Sequence, residues 1–172
     1  MRLCAAMMLF SSFAAGASPD KSRVGSDLVT AMAQKLDGRL SRLSADDPVQ
    51  PVGLTQGAYF PGIGVVFMGS VNLAPMAGIT PFHQTISKQE MARIHQKKAE
   101  RIPKLKDMMQ DVLSNMAWSM DPVPADEQIA VAISLFYFSN EDTTGLPSQI
   151  VMRAQKKALI AKQAGAVKVD EF

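Results

Sequence analysis

Few residues in this chain have types and spacings that suggest chemistry. Gly62-Ile63-Gly64 follows Pro61 within GAYFPGIGVVFMGSVN, residues 57–72. A phosphate-binding loop places its glycines between a strand and a helix N-terminus, where free N–H groups and the helix dipole converge on the anion. Here Val65-Val66-Phe67 follows, a strand pattern, and no Gly-Lys-Ser/Thr completes the motif. The glycines read as hairpin or bulge chemistry, since Pro61 presets φ and glycine accepts a positive φ. No cofactor is expected. His83 and His95 stand twelve apart and form no HxH, HxxxH or HExxH pattern. With a carboxylate such as Glu90 they would make a thin zinc set, so no metal ligand is assigned. Of the 12 methionines, Met1, Met7 and Met8 fall in the leader described below, and Met109 and Met116 lie on helical apolar faces. They read as core filler rather than copper ligands.

Nucleophilic catalysis finds no support either. Gly-x-Ser-x-Gly is absent, Ser18-Pro19-Asp20-Lys21 does not open a helix, and Ser70-Val71-Asn72 has no Lys-Thr/Ser-Gly to complete it. Asp46-Asp47 and Glu141-Asp142 are adjacent pairs, whereas a glycosidase needs two carboxyls facing each other across a cleft. No catalytic residue is assigned. Three binding candidates remain. The loop Asn140, Glu141, Asp142, Thr143 and Thr144 offers oxygen ligands on a connection longer than a tight hairpin needs. Arg93, Lys97 and Arg101 are spaced by four and share a helical stripe suited to anionic headgroups or an acidic partner. Tyr59 and Phe60 precede the glycine turn and form a candidate contact point.

The elements that must position these groups follow from periodicity. Leu28, Met32, Leu36, Leu40 and Leu43 recur at helical spacing after a Ser26 or Asp27 cap. Residues 44–53 carry two prolines and an acidic pair and read as a linker or an extended lead-in. Residues 54–72 read as strands, with Val65, Phe67 and Val71 on one face and Val66, Met68 and Ser70 on the other. A proline-rich loop spans 73–85, and Ser87 to Glu90 fits a capping box. The helix that follows buries Met91, Ile94, Ile102, Leu105, Met109, Val112 and Met116; Pro103 either kinks it or starts a second helix. In EQIAVAISLFYF, Ile129, Val131, Ile133, Leu135 and Tyr137 alternate with Ala130, Ala132 and Ser134, predicting a central strand approached by a helix on its small side. A strand over 148–154, a helix over 155–164 and a loose tail over 165–172 complete the pattern.

The N-terminal segment is of a different kind. Met1-Arg2, the uncharged run LCAAMMLFSSFAA and Ala15-Gly16-Ala17 make residues 1–17 a secretory signal peptide, followed by a flexible stretch over 18–25. Cleavage would remove Cys4, the single cysteine, and Arg2 from 18 basic residues set against 16 acidic ones. Such balance argues against nucleic-acid binding, which rests on phosphate neutralisation. No later apolar run reaches the ~18 residues of a membrane span. The expected product is periplasmic or secreted, with residues 26–164 as one domain.

The order helix, strand, strand, helix, strand, strand, helix implies an α+β fold: an antiparallel sheet of about four strands with helices mainly on one face. The same order occurs in small sensory and scaffold domains of the roadblock and profilin type. The segments GVVFMGSVNL (64–73) and SLFYFSNEDTTGLPSQIVM (134–152) resemble a family of exported bacterial proteins of uncharacterised function. That resemblance implies a discrete family and carries no catalytic motif. The expected role is a non-enzymatic accessory or protein-interaction domain of the bacterial envelope, with an unknown envelope protein as partner. The alternatives are a periplasmic hydrolase with a site assembled from distant residues, and weak contact with anionic membrane surfaces through the basic helix.

Overall fold

The computed structural model describes residues 24–44, 48–75 and 86–172. The leader, Ser18 to Lys21, Asp46-Asp47 and His83 lie outside them. Helix α1 (Ser26–Leu40) buries Val29, Met32, Ala33, Leu36 and Leu40, following the stripe read from the sequence. Its N-cap is Gly25, which offers no side-chain bond, so the expected Ser26 or Asp27 cap is corrected. Asp27 instead sits in the first turn, where the dipole favours an acid.

Three strands follow: β1 (Gln50–Pro51), β2 (Gln56–Phe60) and β3 (Gly64–Asn72). β1 lies within the expected linker and extends the edge beside β3, pairing Gln50 with Asn72. β2 and β3 form the hairpin, with Tyr59 opposite Val65 and Phe60 opposite Gly64. Helix α2 (Lys88–Ser119) is a single helix with Pro103 inside it. Ser87 caps it by accepting a hydrogen bond from the Glu90 N–H at 3.1 Å. The Glu90 carboxylate pairs with Arg93 at 3.6 Å, so among the described residues only half of the capping box forms.

β4 (Gln128–Leu135), β5 (Gln149–Gln155), the short α3 (Lys156–Ile160) and β6 (Lys168–Glu171) complete the chain. The six-stranded sheet runs β1-β3-β4-β5-β6, with β2 also paired to β3. It is antiparallel except for β3 and β4, which run parallel from Gly64–Gln128 to Val71–Leu135. The all-antiparallel expectation of about four strands is therefore corrected: a long helix joins β3 to β4, and such a crossover returns the chain in the same direction. The loose tail is corrected as well. Met152 pairs with Val169, and the Phe172 N–H donates to the Gln149 carbonyl at 3.0 Å, so backbone pairing ties the end down.

One apolar core joins α1 and α2 to Val65, Phe67, Val71, Ile129, Val131, Ile133 and Leu135, with Leu159 of α3 at its margin. β3 places its residues on the expected faces. On β4 the helices cover the bulky face rather than the small one, because large side chains fill the space between the layers. Ala130 and Ser134 stay half-exposed on the other face of the sheet.

Candidate functional site

The glycine turn is occupied by the protein's own carboxylate. Pro61 and Gly62 form the centre of a turn closed by the Ile63 N–H donating to the Phe60 carbonyl at 3.0 Å, and Gly62 has φ 82°. Those values match a type II turn, whose third position favours glycine. Gly64 has φ 132°, and a Cβ there would lie 1.9 Å from the Gln128 carbonyl oxygen. Buried Glu127 reaches across: its Oε1 accepts from the Gly62 N–H at 2.8 Å and from the Tyr59 hydroxyl at 3.2 Å. Glu127 Oε2 has no partner among the described residues. Burial, then the Glu127 carboxylate, pushes the Tyr59 hydroxyl above its ordinary pKa. Tyr59 is thus part of the scaffold, while Phe60 beside it is half-exposed.

The 140–144 loop is likewise tied down, against α2. Lys98 is 1% exposed and its ammonium donates to the Phe136 carbonyl at 3.1 Å and to Glu141. The same ammonium lies 4.6 Å from the centre of the Tyr137 ring, within cation–π range. The Tyr137 hydroxyl donates to the Pro147 carbonyl at 2.8 Å, and burial followed by the Glu141 charge pushes its pKa up to about 12. Glu141 is therefore an internal ion-pair partner, with its other oxygen accepting from the Phe138 N–H at 3.1 Å. Asp142 accepts from the Thr144 N–H at 2.9 Å. The Thr144 bonds and then the His95 charge hold its carboxyl below the usual range. His95 Nε2 donates to the Thr144 carbonyl at 3.0 Å. His95, Asn140 and Asp142, with Lys88 and Met91, line an open hollow of about 400 Å³. Thr143 is exposed, and its carbonyl accepts from the Leu146 N–H at 3.0 Å.

The expected basic stripe divides. Arg93 is exposed and Lys97 half-buried, but Arg101 is 5% exposed and donates to the Leu73 carbonyl. The stripe turns inward along the helix, so Arg101 cannot contact a surface with the other two. Sequence reasoning missed the buried cations. Lys98 falls between Ile94 and Ile102 on the apolar stripe, a position that only a paired charge can occupy. Lys156 caps the end of α2, donating to the Met120, Asp121 and Val123 carbonyls at 2.9, 3.1 and 2.8 Å.

Among the described residues, large apolar side chains are exposed at Trp118, Phe138, Val169 and Phe172, and a further set lies on the β1–β3 side. Val52, Leu54, Phe60, Ile63 and Met68 are all exposed there, Leu54 by 78% and Ile63 by 65%. Between Asp47 and Lys88 the sequence has no Asp, Glu, Lys or Arg. This uncharged surface is the candidate interface. Among the described residues no group of three His, Cys, Asp or Glu side chains could hold a metal ion, and no helix is long and apolar enough to cross a membrane. No protein-family model, curated protein or solved structure matches the chain.

Proposed function

We propose that the chain is a non-enzymatic accessory or protein-interaction domain of a bacterial cell envelope, exported after removal of residues 1–17. It belongs, in this reading, with the exported bacterial proteins that its GVVF and DTTGLP segments resemble. The observation that carries the proposal is the uncharged surface of Val52, Leu54, Phe60, Ile63 and Met68. Exposed apolar side chains along an edge without charge are costly in water and favour a contact site. The disposition of the buried ionisable groups supports the same reading. Lys98, Glu141 and Lys156 are spent on holding a loop or a helix end. Crosslinked pull-down of the chain from an envelope extract tests the proposal. A specific partner is recovered with the wild type and lost with Leu54→Lys plus Ile63→Lys; reproducible recovery of nothing contradicts the proposal.

A second reading has one observation in its favour. His95 faces Asn140 and Asp142 around the open hollow, as a hydrolase assembled from distant residues would require. In the tautomer whose Nε2 donates to the Thr144 carbonyl, Nδ1 is the ring nitrogen able to accept a proton. Hydrolysis of a model ester panel that disappears in His95→Ala would favour this reading. The anionic-surface reading is weakened by the burial of Arg101.

A further inference from the structure

The two strand edges of the sheet differ in how they are protected. An open edge presents unpaired N–H and C=O groups, and proteins blunt it with charge, proline or cover. β6 is blunted by Lys168, Asp170 and Glu171, with Asp170 paired to Arg153 at 3.4 Å and Glu171 to Lys106 at 2.5 Å. β2 reads Gln56-Gly57-Ala58-Tyr59-Phe60, with neither charge nor proline. It pairs with β3 on one side and, among the described residues, with no strand on the other. Exposed Leu54 and Ile63 flank it at either end.

We infer that the β2 edge pairs antiparallel with β2 of a second copy of this chain, centred so that Ala58 faces Ala58 of the copy. The inference rests on the interaction reading above and names the partner. A contact about a two-fold axis must be complementary to itself. A charge-free strand meets that condition, since the nearby Asp37 carboxylate is already engaged by the Thr55 N–H and hydroxyl, whereas a charged partner strand would leave its charges unpaired. Pairing with a strand also satisfies the edge N–H and C=O groups, which a lipid surface cannot do. Centred on Ala58, the register sets Leu54 of one copy beside the Pro61–Ile63 turn of the other. Both flanking apolar clusters are then covered, and the two sheets become continuous.

The test uses the chain from Ser18 onward, which holds every described residue and lacks Cys4. Sedimentation velocity across a concentration series shows a dimer for the wild type and a monomer for Leu54→Lys plus Ile63→Lys, with unchanged circular dichroism. Under mild oxidation Ala58→Cys links to itself, whereas Lys168→Cys on β6 does not. A wild-type monomer at every concentration overturns the inference. So does a dimer whose Ala58→Cys links no faster than Lys168→Cys. If the wild type is monomeric yet the Leu54 and Ile63 changes still abolish capture of an envelope protein, self-pairing fails while the interaction reading stands.

Discussion

At one end of the sheet β6 carries Lys168, Asp170 and Glu171, and both acids are engaged by basic side chains from β5 and α2. At the other end β2 presents five uncharged residues beside a hairpin tip where Phe60 and Ile63 face solvent. Away from the two edges, buried cations hold the connections: Lys98 fixes the 136–144 loop, and Lys156 closes the end of α2. The uncharged side borrows its anchor, because Glu127, just ahead of β4, reaches the Gly62 N–H and the Tyr59 hydroxyl. Buried charge thus works on both sides, and what differs is the strand edge itself, charged at β6 and uncharged at β2. Such a division makes one edge solvated and leaves the other fit for contact.

The largest expected effect lies at the hairpin. Gly64→Ala would force a Cβ into the Gln128 backbone, with which β3 begins its parallel pairing. We expect a loss of about 4 kcal/mol or more in urea unfolding, since neither backbone can yield. A stability near wild type would show that the hairpin does not depend on that close approach. On the charged side, Lys98→Ala leaves Glu141 buried without its ion-pair partner and should cost about 3–5 kcal/mol. Lys98→Met with Glu141→Leu should recover much of it, because removing both charges removes the desolvation problem. An equally unstable double variant would contradict a mainly electrostatic role.

The tyrosines give a smaller effect that resolves the two halves by pH. Tyr137 keeps its proton in the folded state up to about 12, against an ordinary value of 10.0. Its contribution is therefore complete below about pH 10 and is lost as pH rises toward 12. Ultraviolet titration of tyrosinate should show a late phase that Tyr137→Phe removes. If the single phase left in Tyr137→Phe is the late one, that phase belongs to Tyr59. The smallest effect concerns the contact surface. Below the concentration at which copies associate, Leu54→Lys and Ile63→Lys should each change stability by no more than about 0.5 kcal/mol, since both side chains face solvent in the single chain. A large loss would mean that the patch supports the fold instead of a partner.

Sequence alone made the local patterns legible and left the long-range pairings hidden. The alternation of Val65, Phe67 and Val71 and most of the two helix stripes read correctly, Leu28, Leu43 and Met91 being only half-buried, because each depends only on neighbours in the chain. The large and small faces of β4 were also readable, but not which one meets the helices; that depends on where bulk is needed between layers. β6 spans only four residues, and its pairing with β5 has no local signal. Glu127 looks like an ordinary acid beside Asp126, and its role appears only when a turn 65 residues earlier folds over it. At the candidate sites, the loop and the basic stripe were found but not their orientation. Glu141 and Arg101 point inward, so both sites lose members that spacing had assigned to them.

Backbone amide exchange of β2 and β6, followed as protein concentration is raised, tests the central claim most directly. The account predicts that protection across Gln56–Phe60 grows with concentration while that of Lys168–Glu171 stays constant. Equal behaviour at the two edges, or protection growing at β6 instead, would contradict it.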